Sequence, residues 1–88
     1  SLPRYASSGE INSTVVDPRQ TAQRVAAAFE GLGAIDWVDG LKVRGDGWWV
    51  SVRSSNTEPL LRLNVEARDA ETMASLRDRA LAIIREEH

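Results

Sequence analysis

From Leu60 to Arg68 the chain alternates without a break: Leu61, Leu63, Val65 and Ala67 fall between Leu60, Arg62, Asn64, Glu66 and Arg68. A period of two places successive side chains on opposite faces of an extended strand, one face toward a core and one toward water. A chain that carries such a strand must build a sheet and then cover one side of it. Trp48 to Arg53 repeats the pattern, with Trp48, Val50 and Val52 on one face and Trp49, Ser51 and Arg53 on the other. Leu41 to Arg44 alternates Leu and Val with Lys and Arg, and Gly45-Asp46-Gly47 supplies the reversal into the next strand. Ile11 to Val16 is rich in β-branched residues and adds a further strand.

Two helical stretches are available as the cover. Between Arg19 and Leu32 the residues Ala22, Val25, Ala26, Phe29 and Leu32 recur at helical spacing, with Asp17 placed to cap, Pro18 at the first position, and Gly31 and Gly33 at the end. Between Ala70 and Glu86 a stripe of Met73, Leu76, Ala80, Ile83 and Ile84 follows a cap at Asp69. The predicted order is β-α-β-β-β-α, with a short extra extended piece at 35–38. This gives an α+β domain: a mainly antiparallel four-stranded sheet with both helices on one face. Residues 1–10, with their Pro, Ser and Gly, are expected to be an interdomain linker or hinge, and residues 11–88 one domain.

Composition narrows the function classes. Eleven Lys and Arg stand against thirteen Asp and Glu, a formal charge of -2, so no global basic field draws in nucleic acid or an anionic membrane. Any anion site must be local. With no cysteine, disulfides and thiolate metal sites are excluded and a reducing cytoplasmic setting is allowed. No apolar run approaches the roughly 20 residues of a membrane-spanning helix. Eighty-eight residues bury only about 60% of the surface of the unfolded chain, so the core has little in reserve.

The stretch richest in chemistry is Arg53-Ser54-Ser55-Asn56-Thr57-Glu58-Pro59, which puts a guanidinium, hydroxyls and an amide side chain into one tight loop between two strands. If those strands pair as a hairpin, Arg53 and Arg62 both reach the loop mouth. Two guanidinium forks with hydroxyl and backbone N–H donors suit a tetrahedral phosphate dianion. The alternative is that Ser, Asn and Thr make only local side-chain-to-backbone turns before Pro59, while Arg53 and Arg62 pair with Glu58 and Glu66.

Asp39-Gly40, then Trp48-Trp49, then Arg53 through Pro59 with Arg62 and Glu66, together with the upstream Ser8-Gly9-Glu10-Ile11-Asn12, resemble the last domain of the α-D-phosphohexomutases, the family of bacterial phosphomannomutase/phosphoglucomutase. The resemblance implies a TATA-binding-protein-like fold and a loop that holds the phosphate of a bound sugar phosphate. Arg53, Ser55, Asn56 and Thr57 are then its ligands, strand geometry adds Arg62, and Glu58 orients loop donors. Asn56 resembles the mannose and glucose enzymes; phosphoglucosamine mutases usually have Gly there. Ser54 departs from the family's usual Pro or Ala.

By the same resemblance the parent enzyme interconverts hexose 1-phosphate and hexose 6-phosphate through a phosphoserine, with Mg2+ bound elsewhere in the chain. Its partners are mannose or glucose 1- and 6-phosphates and its own N-terminal domains. No catalytic serine motif or metal loop stands in this sequence, so the 88 residues alone are expected to be inactive and to need no cofactor. The alternative, from a different class, is a free-standing protein- or nucleic-acid-binding module on the same fold; the acidic balance argues against its nucleic-acid form.

The remaining candidates have plainer roles. Trp37, Trp48 and Trp49 are read as packing residues, Trp49 being the exception because it shares the polar face with Arg53. His88 is read as a frayed terminus. Glu71, Asp78, Glu86 and Glu87 form a solvated helix face, and Asp36, Asp39 and Asp46 lack the spacing of a calcium loop.

Overall fold

A computed structural model of the chain describes residues 5–86; the expectations for residues 1–4 of the linker, for Glu87 and for His88 lie outside them. The elements run β1 (Ala6–Ser7), β2 (Ile11–Thr14), α1 (Pro18–Ala28), β3 (Ala34–Asp36), β4 (Leu41–Gly45), β5 (Trp48–Ser54), β6 (Leu60–Ala67) and α2 (Ala70–Ile84). The class is α+β, and every strand pairing is antiparallel. The sheet order is β1-β6-β5-β4-β3, with β2 also on β6. Six strands replace the four expected: β3 extends one edge, and β1 and β2 share the other along different halves of β6.

The alternating runs behave as their period dictates. Leu41, Val43, Val50, Val52, Leu61, Leu63, Val65 and Ala67 all point to one face and are buried. Arg44, Arg53 and Arg62 stand on the open face and are exposed. Both helices pack on the apolar face. Trp48 belongs to that side, its ring 6.3 Å from that of Phe29.

Helix α1 starts as expected. Asp17 caps it in extended conformation, its carboxylate accepting from the Gln20 N–H, and Pro18 follows. It stops earlier than expected, at Ala28 rather than Leu32. Phe29 closes it, fully buried, while Leu32 lies beyond the last turn and is exposed. Arginines tie the helix ends together: Arg24 bonds Glu86 at 3.0 Å and the Ile83 carbonyl at 3.4 Å, and Arg79 donates to the Ala28 carbonyl.

At the start of α2 the Asp69 carboxylate accepts the Thr72 N–H at 2.7 Å and the Thr72 hydroxyl at 3.1 Å. The Thr72 N–H, first among the causes, holds the Asp69 carboxyl below the usual aspartate range. A carboxyl depressed in the folded state stabilises the fold above its ordinary pKa, and this contribution is lost as pH falls through the folded value. Thermal melts of wild type and Asp69→Asn from pH 6 to pH 3 should therefore converge as pH falls below about 4. A constant gap across the range would remove Asp69 from the acid response.

The segment before β2 is held to the sheet. Between the pairs Ser7–Glu66 and Ile11–Leu63, three residues of the incoming chain face two of β6, a β-bulge. Gly9 sits there at φ +67°. Ser8 donates its N–H to the Val65 carbonyl, and its hydroxyl oxygen accepts the Val65 N–H, both at 2.9 Å. The hydroxyl takes the place of a ladder carbonyl where the strand is interrupted.

Candidate functional site

Strands β5 and β6 end in the loop 55–59, and their register sets Arg53 directly opposite Arg62 on the open face. Like charges facing each other across a ladder are unfavourable, so such a pair calls for a compensating anion. Each guanidinium has a loose carboxylate neighbour. Asp39 approaches Arg53 at 3.5 Å, and Glu10 approaches Arg62 at 3.8 Å; all four side chains are at least 45% exposed. The Asp39-Gly40 turn is fitted against Arg53. Gly40 has φ +74°, and a Cβ there would lie 2.9 Å from the Val52 carbonyl oxygen and 3.0 Å from the Arg53 side chain.

The loop is organised by Ser55. Its N–H donates to the Leu60 carbonyl, while its hydroxyl oxygen accepts the N–H groups of Thr57 at 3.2 Å and Glu58 at 3.3 Å. These are the local turns of the plainer sequence reading. Since the Ser55 oxygen accepts both bonds, its own proton remains available to donate outward. The other half of that reading is not found. Arg53 and Arg62 meet Asp39 and Glu10 rather than Glu58 and Glu66, and the Glu66 carboxylate accepts from Trp49 Nε1 at 3.2 Å.

A cleft of about 270 Å³ results, walled by Arg53, Ser54, Ser55 and Asn56 on one side and by Glu10, Arg62 and Asn64 on the other. Of the five residues singled out from the sequence, Arg53, Ser55, Asn56 and Arg62 line it together. Thr57 stands outside its wall. Glu10 and Asn64 were missed by the sequence reading; Asn64 was within reach of it, being two residues after Arg62 on the same face of a clearly alternating strand.

Two other hollows are distinct in character. One of about 500 Å³ lies on the helix side of the sheet, between α1 and the turn that carries Trp37, with Leu41, Val52 and Leu61 in its floor and Arg19 as its charged residue. It is larger than the cleft but lacks facing cations. The other, about 390 Å³, lies toward the far end of β5 and includes Tyr5, Arg44, Trp49 and Glu66. Trp49 is held there by its bond to Glu66 and by Lys42, whose Nζ is 4.6 Å from the ring centroid. Four residues of strand, about 13 Å, separate it from Arg53.

Residues 10–83 match the family model for the phosphoglucomutase/phosphomannomutase C-terminal domain. The chain belongs to this family. The match takes in the bulge residue Glu10, the Asp39-Gly40 turn and the entire Arg53–Arg62 segment, so the cleft lies wholly inside the C-terminal domain of the phosphohexomutases. The chain is 44% identical over 81 residues to a phosphomannomutase of Salmonella typhimurium, covering 91% of this chain and 18% of that protein. It is 48% identical over 68 residues to a phosphomannomutase of Salmonella montevideo, covering 76% and 15%. A crystal structure of a phosphoglucomutase/phosphomannomutase family protein from Burkholderia thailandensis superposes with a TM-score of 0.70 at 28% identity, over 96% of this chain and 19% of that one. The chain thus spans less than a fifth of the length of these relatives.

Among the described residues, no three His, Cys, Asp or Glu side chains stand together in a way that could hold a metal ion. The resemblance places the magnesium of a whole mutase elsewhere in the parent chain, and the described residues offer no carboxylate cluster for it. No described helix is long and apolar enough to cross a membrane.

Proposed function

We propose that the cleft between the 55–59 loop and the bulge at Glu10 grips the phosphate of a hexose phosphate, and that the chain is the phosphate-holding part of a phosphomannomutase/phosphoglucomutase. One observation carries this reading: Arg53 and Arg62 face each other in register beside a loop whose serine hydroxyl has a proton to give. Two planar forks across a tetrahedral dianion convert a repulsive pair into a bidentate clamp. Asn56 adds amide donors from the same wall. The resemblance at Asn56 favours mannose and glucose phosphates as the sugar. The reaction itself, transfer through a phosphoserine with Mg2+, belongs to other parts of a cytoplasmic parent enzyme, and the 88 residues alone are inert.

Affinity should be low. Charge-assisted hydrogen bonds contribute about 1.5 to 3 kcal/mol each, and association costs roughly 4 to 15 kcal/mol, which leaves an open cleft on the order of millimolar. Amide NMR titration of the domain with inorganic phosphate, glucose 1-phosphate and mannose 1-phosphate should move signals from Arg53 to Arg62, saturating weakly with all three. Ser55→Ala should weaken all three about fivefold or more and broaden the loop signals, because the acceptor for Thr57 and Glu58 goes with the hydroxyl. Shifts scattered over the helices, or none in a folded domain, would rule out the cleft.

A further inference from the structure

We propose that Glu10 is a built-in competitor for the anion site: its carboxylate occupies Arg62 in the empty cleft and is displaced when phosphate enters. The inference rests on the phosphate-cleft reading and adds what controls occupancy of that cleft. Glu10 comes from outside the loop, 52 positions before Arg62, and reaches it only because β2 pairs with β6. The bulge delivers it. Ser8 is pinned to Val65 through both its N–H and its hydroxyl, Gly9 turns the chain, and Glu10 emerges at the cleft wall just before β2. Asn12, and not Glu10, is the direct cross-strand partner of Arg62, so the carboxylate reaches the guanidinium diagonally along the open face.

The contact has the properties of a displaceable one. Its 3.8 Å separation is well outside the roughly 2.7 to 2.9 Å of a charge-assisted hydrogen bond. Both side chains are about half exposed, at 45% and 48%, and ion pairs in such surroundings shift an equilibrium only a few-fold. A phosphate dianion that engages two forks at once outcompetes a single carboxylate at that distance. Once bound, it also repels Glu10, whose route outward to solvent is open. Asp39 stands toward Arg53 in a similar way at 3.5 Å, but it does not line the cleft and is the more exposed carboxylate, so its influence should be smaller.

The test uses inorganic phosphate as the probe, titrated by amide NMR into wild type, Glu10→Gln, Asp39→Asn and Arg62→Ala. Glu10→Gln keeps the shape and removes the charge; it should bind phosphate about two- to fivefold more tightly than wild type, with Asp39→Asn changing binding less. In an Arg62→Ala background the Glu10→Gln gain should vanish, since nothing is left to compete for. Unchanged or weaker phosphate binding by a folded Glu10→Gln domain would overturn the competitor role while leaving the cleft in place. Absence of any phosphate response in both wild type and Glu10→Gln would instead bring down the cleft reading and the competitor with it.

Discussion

Replacing Arg53 by Ala should weaken phosphate binding by about 10- to 100-fold and leave the domain at least as stable as before. The binding loss is that of charge-assisted hydrogen bonds from one fork, about 1.5 to 3 kcal/mol. The stability argument runs the other way. The Arg53 side chain is exposed, its ion pair with Asp39 is long, and it faces Arg62 directly, so removal relieves a repulsion and breaks no buried contact. Arg53→Lys should recover only part of the affinity, because an ammonium restores the charge but not the planar fork. Phosphate titration and a thermal melt on the same samples separate the two effects. A melt lowered by several degrees with binding intact would make Arg53 a structural ion-pair partner and remove it from the cleft.

That division between function and stability explains what the sequence disclosed. The faces of β4, β5 and β6 were legible because a period of two depends on nothing but the strand itself, and it carried Arg53 and Arg62 to the open side without knowledge of the fold. The caps at Asp17 and Asp69 were legible for a similar reason: a short carboxylate just before an apolar-periodic run has one local task, and both accept the N–H three residues on. β1 was hidden. Two residues cannot show a period, and the segment keeps its place through the Ser8 hydroxyl and Val65, a tertiary contact that looks like linker composition when read along the chain. Glu10 was hidden by distance, since its neighbourhood is set by which strand β2 pairs with and not by anything near residue 10. Two readings of the loop stood open because one does not displace the other: the Ser55 hydroxyl makes the local turn as an acceptor, and accepting does not use its own proton.

Phe29 and Leu32 occupy the same predicted stripe, and the fold assigns them opposite weights. Phe29→Ala should cost about 3 to 5 kcal/mol, as large-to-small changes of fully buried aromatics do, whereas Leu32→Ala should stay within about 0.5 kcal/mol. Phe29 has no exposed surface, lies against Trp48 of β5, and is overlaid by Arg79, whose guanidinium carbon is 5.9 Å from the ring centroid. It therefore joins α1, α2 and the sheet at one point. Leu32 is 47% exposed, beyond the end of α1. Native domains are stable by roughly 0.05 to 0.15 kcal/mol per residue, so an 88-residue chain holds about 4 to 13 kcal/mol in all. The Phe29 variant would lose about a quarter of that or more and at the lower end would not stay folded. Urea denaturation of both variants at 25 °C decides the point through the midpoints at unchanged slope. Equal losses would mean that the helix runs on to Leu32 in solution and buries it, as the bare periodicity implies; a large loss at Phe29 alone would mean that the core ends where α1 does.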